Sequence, residues 1–337
     1  MDQPGIQVLL FQHIKNSIPP HLSFVDEIAE LLNISNDSAY RRIRGEKQLS
    51  FEEIKAICSK FRISLDQLLN LNSNTIVFTG KYIIPETFNY RAYLQEVLAN
   101  FMMFKNFDRK ELIFLSKDIP LYHYLMFPEI ASFKYFSWMK TLLGFPEFQQ
   151  QKFAMDVLMD DIKTTGEKIA EAYTQVPSCE ILNADNILTT LRQIEFYKDS
   201  QWFAKQDDLE RVYASLEDMV SHIEKQAEEG KKFFRGRQPG AGLAEYKLYV
   251  NDFFVGDNTN LVLLNDMKVC YLVHNGLNFI YTRDKTFCDY SYHFVQNIIS
   301  KSALISITGE RERTVFFNLI RERIKAYKEN KVKTMLN

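Results

Sequence analysis

Glycine and proline are scarce in this 337-residue chain, at 12 and 9 residues, while phenylalanine and tyrosine number 27 and 17; the balance favours a helical, aromatic-rich core. Cysteine is scarcer. Cys58, Cys179, Cys270 and Cys288 are scattered without metal-ligand spacing, and MDQPGIQVLL has no signal-peptide character, so free thiols in a reducing cytoplasm are expected. Long apolar runs are missing too. The greasiest stretch, Leu112 to Phe136, is interrupted by Lys117, Asp118, Glu129 and Lys134, which excludes a membrane span. Net charge is only −2, so there is no general attraction to nucleic acid and any DNA affinity must be local. HExxH, GxSxG, GxxxxGK[ST] and a strand-linked GxGxxG are all absent, and the six histidines have no ligand spacing. Paired carboxylates such as Asp160-Asp161 and Asp207-Asp208 are most simply surface charge. No catalytic residue, metal or cofactor is therefore assigned, and an enzyme is not expected.

Local charge is present in one place. Residues 41 to 47 hold Arg41, Arg42, Arg44 and Lys47 against a lone Glu46. They close the stretch Ser23 to Gly45, SFVDEIAELLNISNDSAYRRIRG, which has the order of signals of two short helices and a tight turn. Ser23 is a natural N-cap, and Val25, Ile28, Ala29, Leu31 and Leu32 give the first helix an apolar stripe. Asn33 suits the left-handed end of that helix, and Ser35 caps the next. On the second helix only Ala39 and Ile43 are apolar, one turn apart, so a narrow seam is buried. Asn36, Asp37, Ser38, Tyr40, Arg41, Arg42 and Arg44 make the rest, and Gly45 stands where a C′ glycine stops a helix. This is the chemistry of a helix that enters a DNA major groove. The alternative is a solvated amphipathic helix. Ala29 favours the first reading, since a small residue lets a crossing helix approach.

The flanks complete a compact module. Ile6, Leu9, Leu10, Ile14 and Ile18 form a helical stripe ended by Pro19-Pro20. Ser50-Phe51-Glu52-Glu53 is a capping box before a helix with Phe51, Ile54, Ile57, Cys58 and Phe61 inward, and Ser64-Leu65-Asp66-Gln67 is a second. The run IAELLNISNDSAYRRIRGEKQLSFEEIKAICSKFRISLDQLL resembles the Cro/repressor-type (XRE-like) helix-turn-helix, and AYRRIRGE its BetR-like branch. The resemblance covers residues 5–71, about a fifth of the chain. It implies a five-helix, lambda-repressor-like DNA-binding domain. Asn36, Asp37, Ser38, Tyr40 and Arg41 match positions that face bases or groove walls, and Arg44 and Lys47 match phosphate-contacting ones. Arg42 is placed in the same DNA-binding set, although many members carry Trp-Glu where this chain has Arg42-Ile43.

Beyond a polar break at residues 71–75, TIVFTGKYII is a short strand or extended arm. A helical pattern follows from Thr87 to about Phe107, then a short strand from Glu111 to Ser116. Between Tyr122 and Trp138 eight aromatic or histidine rings crowd together. They are either core or the lining of an effector pocket whose polar groups are Asp118, Tyr122, His123 and Tyr124, with Trp138. Helices are expected at about 147–161, 165–175, 184–204 and 207–230. Lys231 to Gly242 is a basic hinge. EYKLYVNDF, NLVLLND, KVCYLVHN and NFIYTRD then have strand character, with Asn275-Gly276 as a hairpin signal, and two helices close the chain at 286–301 and 310–328.

The expected fold is mainly α. A helix-turn-helix domain (1–71), a linker or arm (72–86), a helical sensor and dimerisation region (87–235) and an α+β domain with an antiparallel sheet (243–330) follow in order. The expected function is a cytoplasmic, sequence-specific transcription regulator. Its partners are double-stranded DNA, a second copy in a homodimer and a small-molecule or protein effector, with no membrane. The alternatives are a ligand-binding, enzyme-like sensor fused to a DNA module, and a protein-interaction scaffold using the helix-turn-helix fold.

Overall fold

The structure, a computed structural model, describes residues 5–15, 23–61, 63, 65, 75–240, 242–253, 258–274 and 276–329. It divides into two units, Met1–Thr79 and Gly80–Asn337. The smaller contains α1 (Ile6–Lys15), α2 (Phe24–Leu32), α3 (Asn36–Ile43) and α4 (Phe51–Phe61). Their inward residues meet in one core of Leu10, Phe11, Ile14, Ile28, Ala29, Ala39 and Ile57, while Phe51, expected inward, is exposed, as are Ile6 and Leu9. The capping box that opens α4 is made in both directions: the Ser50 N–H donates to the Glu53 carboxylate at 2.9 Å, and the Glu53 N–H to Ser50 Oγ at 3.2 Å. The fifth helix expected from Ser64 lies almost wholly outside the described residues.

In the larger unit, α5 (Tyr90–Phe104) is capped by Asn89, whose side chain accepts from the Ala92 N–H. There follow β1 (Lys110–Leu115), α6 (Leu121–Tyr124), α7 (Pro128–Ser137), a π-helical turn (Trp138–Leu142), α8 (Pro146–Gln149) and α9 (Asp160–Tyr173). Next come β2 (Ser178–Leu182), α10 (Asn186–Asp199) and α11 (Gln206–Glu229). The chain closes with β3 (Tyr246–Val250), β4 (Thr259–Leu264), β5 (Met267–His274), β6 (Asn278–Thr282), α12 (Lys285–Ile299), β7 (Ala303–Leu304) and α13 (Glu310–Lys328).

These strands overturn the expected mainly-α fold with a separate antiparallel domain. They form one seven-stranded mixed sheet in the order β6-β5-β4-β1-β2-β3-β7. β1, expected as a short strand over 111–116, and β2, for which no strand was expected, lie at its centre and run parallel to each other and to β3. Only β4, β5 and β6 form the antiparallel meander that the turn signals indicate. The expected 87–235 and 243–330 regions therefore share one sheet. A helix over 147–161 is also absent: α8 ends at Gln149, Phe153 bridges to Phe203, and α9 starts at Asp160. The 75–84 segment forms no strand of the sheet.

Strand order explains the layering. Both parallel crossovers step the same way across the sheet, β1 to β2 to β3, so connections of one hand return on one face. Leu112, Phe114, Leu248, Val262, Leu264 and Val269 look into that helical layer and join its core. Their alternating neighbours Ile113, Leu115, Cys179, Ile181, Leu261 and Cys270 face the other way, where α12 supplies Cys288 and Val295. α11 must stop where it does. Gly230 has φ +61°, the left-handed conformation that favours glycine at a helix end, and a Cβ there would stand 2.3 Å from Ile307 Cγ1, so the Ile307 side chain would have to move aside.

Candidate nucleic-acid interface

The turn between α2 and α3 is built from three local choices. Asn33 takes the left-handed conformation (φ 52°, ψ 51°), and the Ile34 N–H closes the helix end on the Ala29 carbonyl at 3.0 Å. Ser35 is extended, and its Oγ accepts the Ser38 N–H at 3.3 Å, capping α3. At the far end, Gly45 (φ +79°) donates to the Arg42 carbonyl at 3.0 Å and Glu46 to that of Arg41 at 2.8 Å, the two bonds of a Schellman motif. Ala29 and Ala39, 6% and 0% exposed, are small residues on the inward faces of the two helices and allow a close crossing.

α3 therefore turns the Ala39 seam inward and leaves the rest open. Asp37, Tyr40, Arg41, Arg44 and Lys47 are exposed, and the Arg44 guanidinium lies 5.8 Å from the centre of the Tyr40 ring. Glu46 sits between the arginines, 4.0 Å from Arg41 Nε and 3.8 Å from Arg44 Nη1. Asn36 is exposed but engaged: its amide donates to Asp26 at 2.8 Å and ties the start of α3 to α2. Ser38 is half-buried against the Ser35 hydroxyl.

Arg42 leaves the DNA-facing set. Its side chain is 7% exposed; Nε and Nη2 both donate to Glu53 Oε1, at 3.0 and 2.7 Å, and Nη1 reaches the Ser38 carbonyl at 3.3 Å. One turn beyond Ala39 and beside Ile43, it belongs to the inward seam. Glu53 thus joins two helices, to the Ser50 cap on one side and to Arg42 on the other. The Arg42 hydrogen bond holds its carboxyl below the usual carboxylate range, against the cost of burial. Gln7 is a further residue that the sequence did not single out. Its amide donates to the Arg42 and Lys47 carbonyls, each at 2.7 Å, and accepts from the Leu49 N–H at 3.1 Å, pinning α1 to the loop that presents Lys47.

The expected effector pocket is corrected. Asp118, Tyr122, His123, Tyr124 and Trp138 pack inside the larger unit, engaged with one another's neighbours rather than gathered around one ligand site. Tyr124 is 1% exposed; its hydroxyl donates to Asp118 Oδ1 and lies 2.7 Å from Thr190 Oγ1, and Lys134 closes the group with a 2.9 Å bond to Asp118 Oδ2. Tyr122 is packed among Phe101, Phe114 and Tyr173, with ring centres 4.8, 5.7 and 5.0 Å away. Trp138 lies under Lys134. A groove of about 490 Å³ does exist, lined by Thr174, Gln175, Pro177, Phe233, Phe234 and Arg237 among others, and none of the five residues reaches it.

His123 belongs to a second buried group centred on Glu180 of β2, which is 0% exposed and points into the helical layer. His123 Nε2 lies 3.0 Å from both carboxylate oxygens, the Tyr246 hydroxyl donates at 2.9 Å, and the Tyr173 hydroxyl donates to Oε1. Burial opposes the charge, but His123 and these hydrogen bonds outweigh it and keep the carboxyl below its ordinary range. Lys232 stacks on the Tyr173 ring at 3.2 Å and donates to the Val176 carbonyl; burial pushes its amine well below the usual lysine range. Sequence patterning gave no sign of this centre. Among the described residues no cluster of three metal-binding side chains occurs, and no helix is long and apolar enough to cross a membrane.

No family model matches the chain, and neither curated proteins nor solved structures show similarity to it.

Proposed function

We propose that this chain is a sequence-specific, double-stranded-DNA-binding regulator of transcription that acts in the cytoplasm as a homodimer. The observation that carries the reading is the pairing of α2 and α3. A short helix is held by a small-residue crossing and capped at both ends. Its outward face offers Tyr40, Arg41 and Arg44, with Lys47 on the following loop. The Arg41 guanidinium has the geometry to take guanine O6 and N7 together, while Arg44 and Lys47 sit toward the end of α3, where phosphates flank a groove. The resemblance of residues 5–71 to the Cro/repressor-type helix-turn-helix supports the same reading.

Two copies are part of the proposal for a physical reason. Residues 1–72 hold 8 Lys/Arg against 9 Asp/Glu, so one module has little net electrostatic grip. Reading two half-sites on one side of the duplex supplies the missing affinity. The test is selection of the full-length chain against random duplexes at about 0.1 M salt, where non-specific contacts are partly screened. An inverted repeat with half-sites about 10–10.5 base pairs apart is the expected product. Recovery of unenriched sequence over successive rounds overturns the reading.

A further inference from the structure

α13 buries Phe316, Phe317, Ile320, Ile324 and Tyr327 on one side, where it packs against α10 and α11. Three of its cations are spent there or at that border: Arg321 on Glu224, Arg323 on Asp185 and Lys328 on Glu217. The opposite side carries Arg311, Val315, Leu319 and Glu322. At steps of four, four and three residues they occupy an arc of about 80° on the helix. Val315 is 61% and Leu319 39% exposed. Arg311 and Glu322 are exposed, and among the described residues neither makes an ion pair.

We infer that this stripe is a contact between two copies of the chain, α13 against α13, antiparallel about a two-fold axis. The reason is self-complementarity. The charged pair and the apolar pair have their midpoints within half a residue of each other, about 0.8 Å along the axis. A single two-fold axis crossing the helix near Phe316 and Phe317 therefore satisfies both. It sets Arg311 of each copy against Glu322 of the other and lays the two Val315–Leu319 pairs together. A parallel arrangement would stack Arg311 on Arg311 and Glu322 on Glu322, which like-charge repulsion disfavours. An isologous contact needs a surface that complements itself, and this is one. Two ion pairs around four aliphatic side chains make a small interface, well below the roughly 1,600 Å² of a standard one, so the association is concentration-dependent and salt-sensitive.

The inference deepens the two-copy part of the proposed function by naming its surface, and its test contains no DNA. Sedimentation equilibrium of the full chain is expected to show a reversible monomer–dimer equilibrium. Arg311→Glu and Glu322→Arg each replace both attractive pairs with repulsive ones, so each should weaken association about tenfold or more. The double variant Arg311→Glu/Glu322→Arg restores both pairs with their signs exchanged, and its dimer should return to within about threefold of the parent. These are exposed positions, so all three variants should melt like the parent. A monomer at all concentrations overturns the contact and the two-copy reading together. A dimer indifferent to the single reversals, or a double variant as weak as either single one, overturns the contact alone.

Discussion

Arg41 and Arg42 are adjacent, alike and basic, yet replacing them by alanine should fail in opposite ways. Arg41 has 56% of its side chain exposed and only a 4.0 Å contact to Glu46, so its loss should move stability by no more than about 0.5 kcal/mol. Its loss should cost about 1–3 kcal/mol of discrimination between the selected duplex and a scrambled one. Arg42 is the reverse. Removing its guanidinium strips two hydrogen bonds from Glu53, which is 20% exposed, and one from the Ser38 carbonyl. Breaking a fully buried pair costs about 3–5 kcal/mol; Glu53 retains water and the Ser50 N–H, so about 2–4 kcal/mol is expected. For a unit of this size that lowers the melting temperature by roughly 10–25 °C. Both tryptophans, Trp138 and Trp202, lie in the larger unit, so their fluorescence does not report this loss while circular dichroism does. The acid limb adds a second readout. Because the Arg42 bond lowers the folded-state pKa of Glu53, that stability is present above the unfolded value of 4.5 and is lost as pH falls through the folded one. Arg42→Ala should flatten the dichroism-detected stability over that window. If Arg42→Ala melts like the parent and loses DNA selectivity as Arg41→Ala does, the guanidinium is on the groove side and the inward placement is wrong.

Three more outcomes are expected. Glu46→Gln frees Arg41 and Arg44 from the one carboxylate between them, so duplex affinity should rise several-fold and the salt dependence steepen by up to about one ion; unchanged affinity would mean neither arginine meets phosphate or base. Tyr124→Ala should cost about 3–5 kcal/mol and Tyr124→Phe about 1–2, read by tryptophan fluorescence on chemical denaturation, because the ring is buried and its hydroxyl serves Asp118 and Thr190. A near-normal alanine variant would return this region to the status of a pocket. Glu180→Gln should cost about 2–4 kcal/mol at neutral pH. Its carboxyl is depressed in the fold, so the parent's stability is present above about pH 4.5 and falls in acid, and the variant should lose part of that fall; full acid sensitivity in Glu180→Gln would place the titration elsewhere.

How legible each of these features was in the sequence follows from the distance between partners. The α2–α3 turn is a local object. Asn33, Ser35, Gly45 and the Ser50–Glu53 box each act within six residues, so residue type alone indicated them. Arg42 was indicated too, had the seam been counted fully: Ala39, Arg42 and Ile43 stand at i, i+3 and i+4, and a charge on that face demands a carboxylate such as Glu53, 11 residues on. β2 offered no such handle. Its five residues are buried on both faces, which removes the alternation by which strands are recognised.

That charge is tolerable because of Tyr173, seven residues before it, and of partners far away in sequence. His123 is 57 positions before Glu180 and Tyr246 is 66 after, and the parallel pairing β1–β2–β3 is what brings them together. A carboxylate in the middle of a sheet would otherwise cost several kcal/mol and forbid the strand. The polar centre thus requires the mixed sheet as much as the sheet carries the centre. A shift of β2 by one residue would turn Glu180 to the α12 side, among Ile113, Leu261 and Cys270, with none of its donors. The centre therefore fixes the register of a strand whose apolar neighbours, buried on both faces, do not.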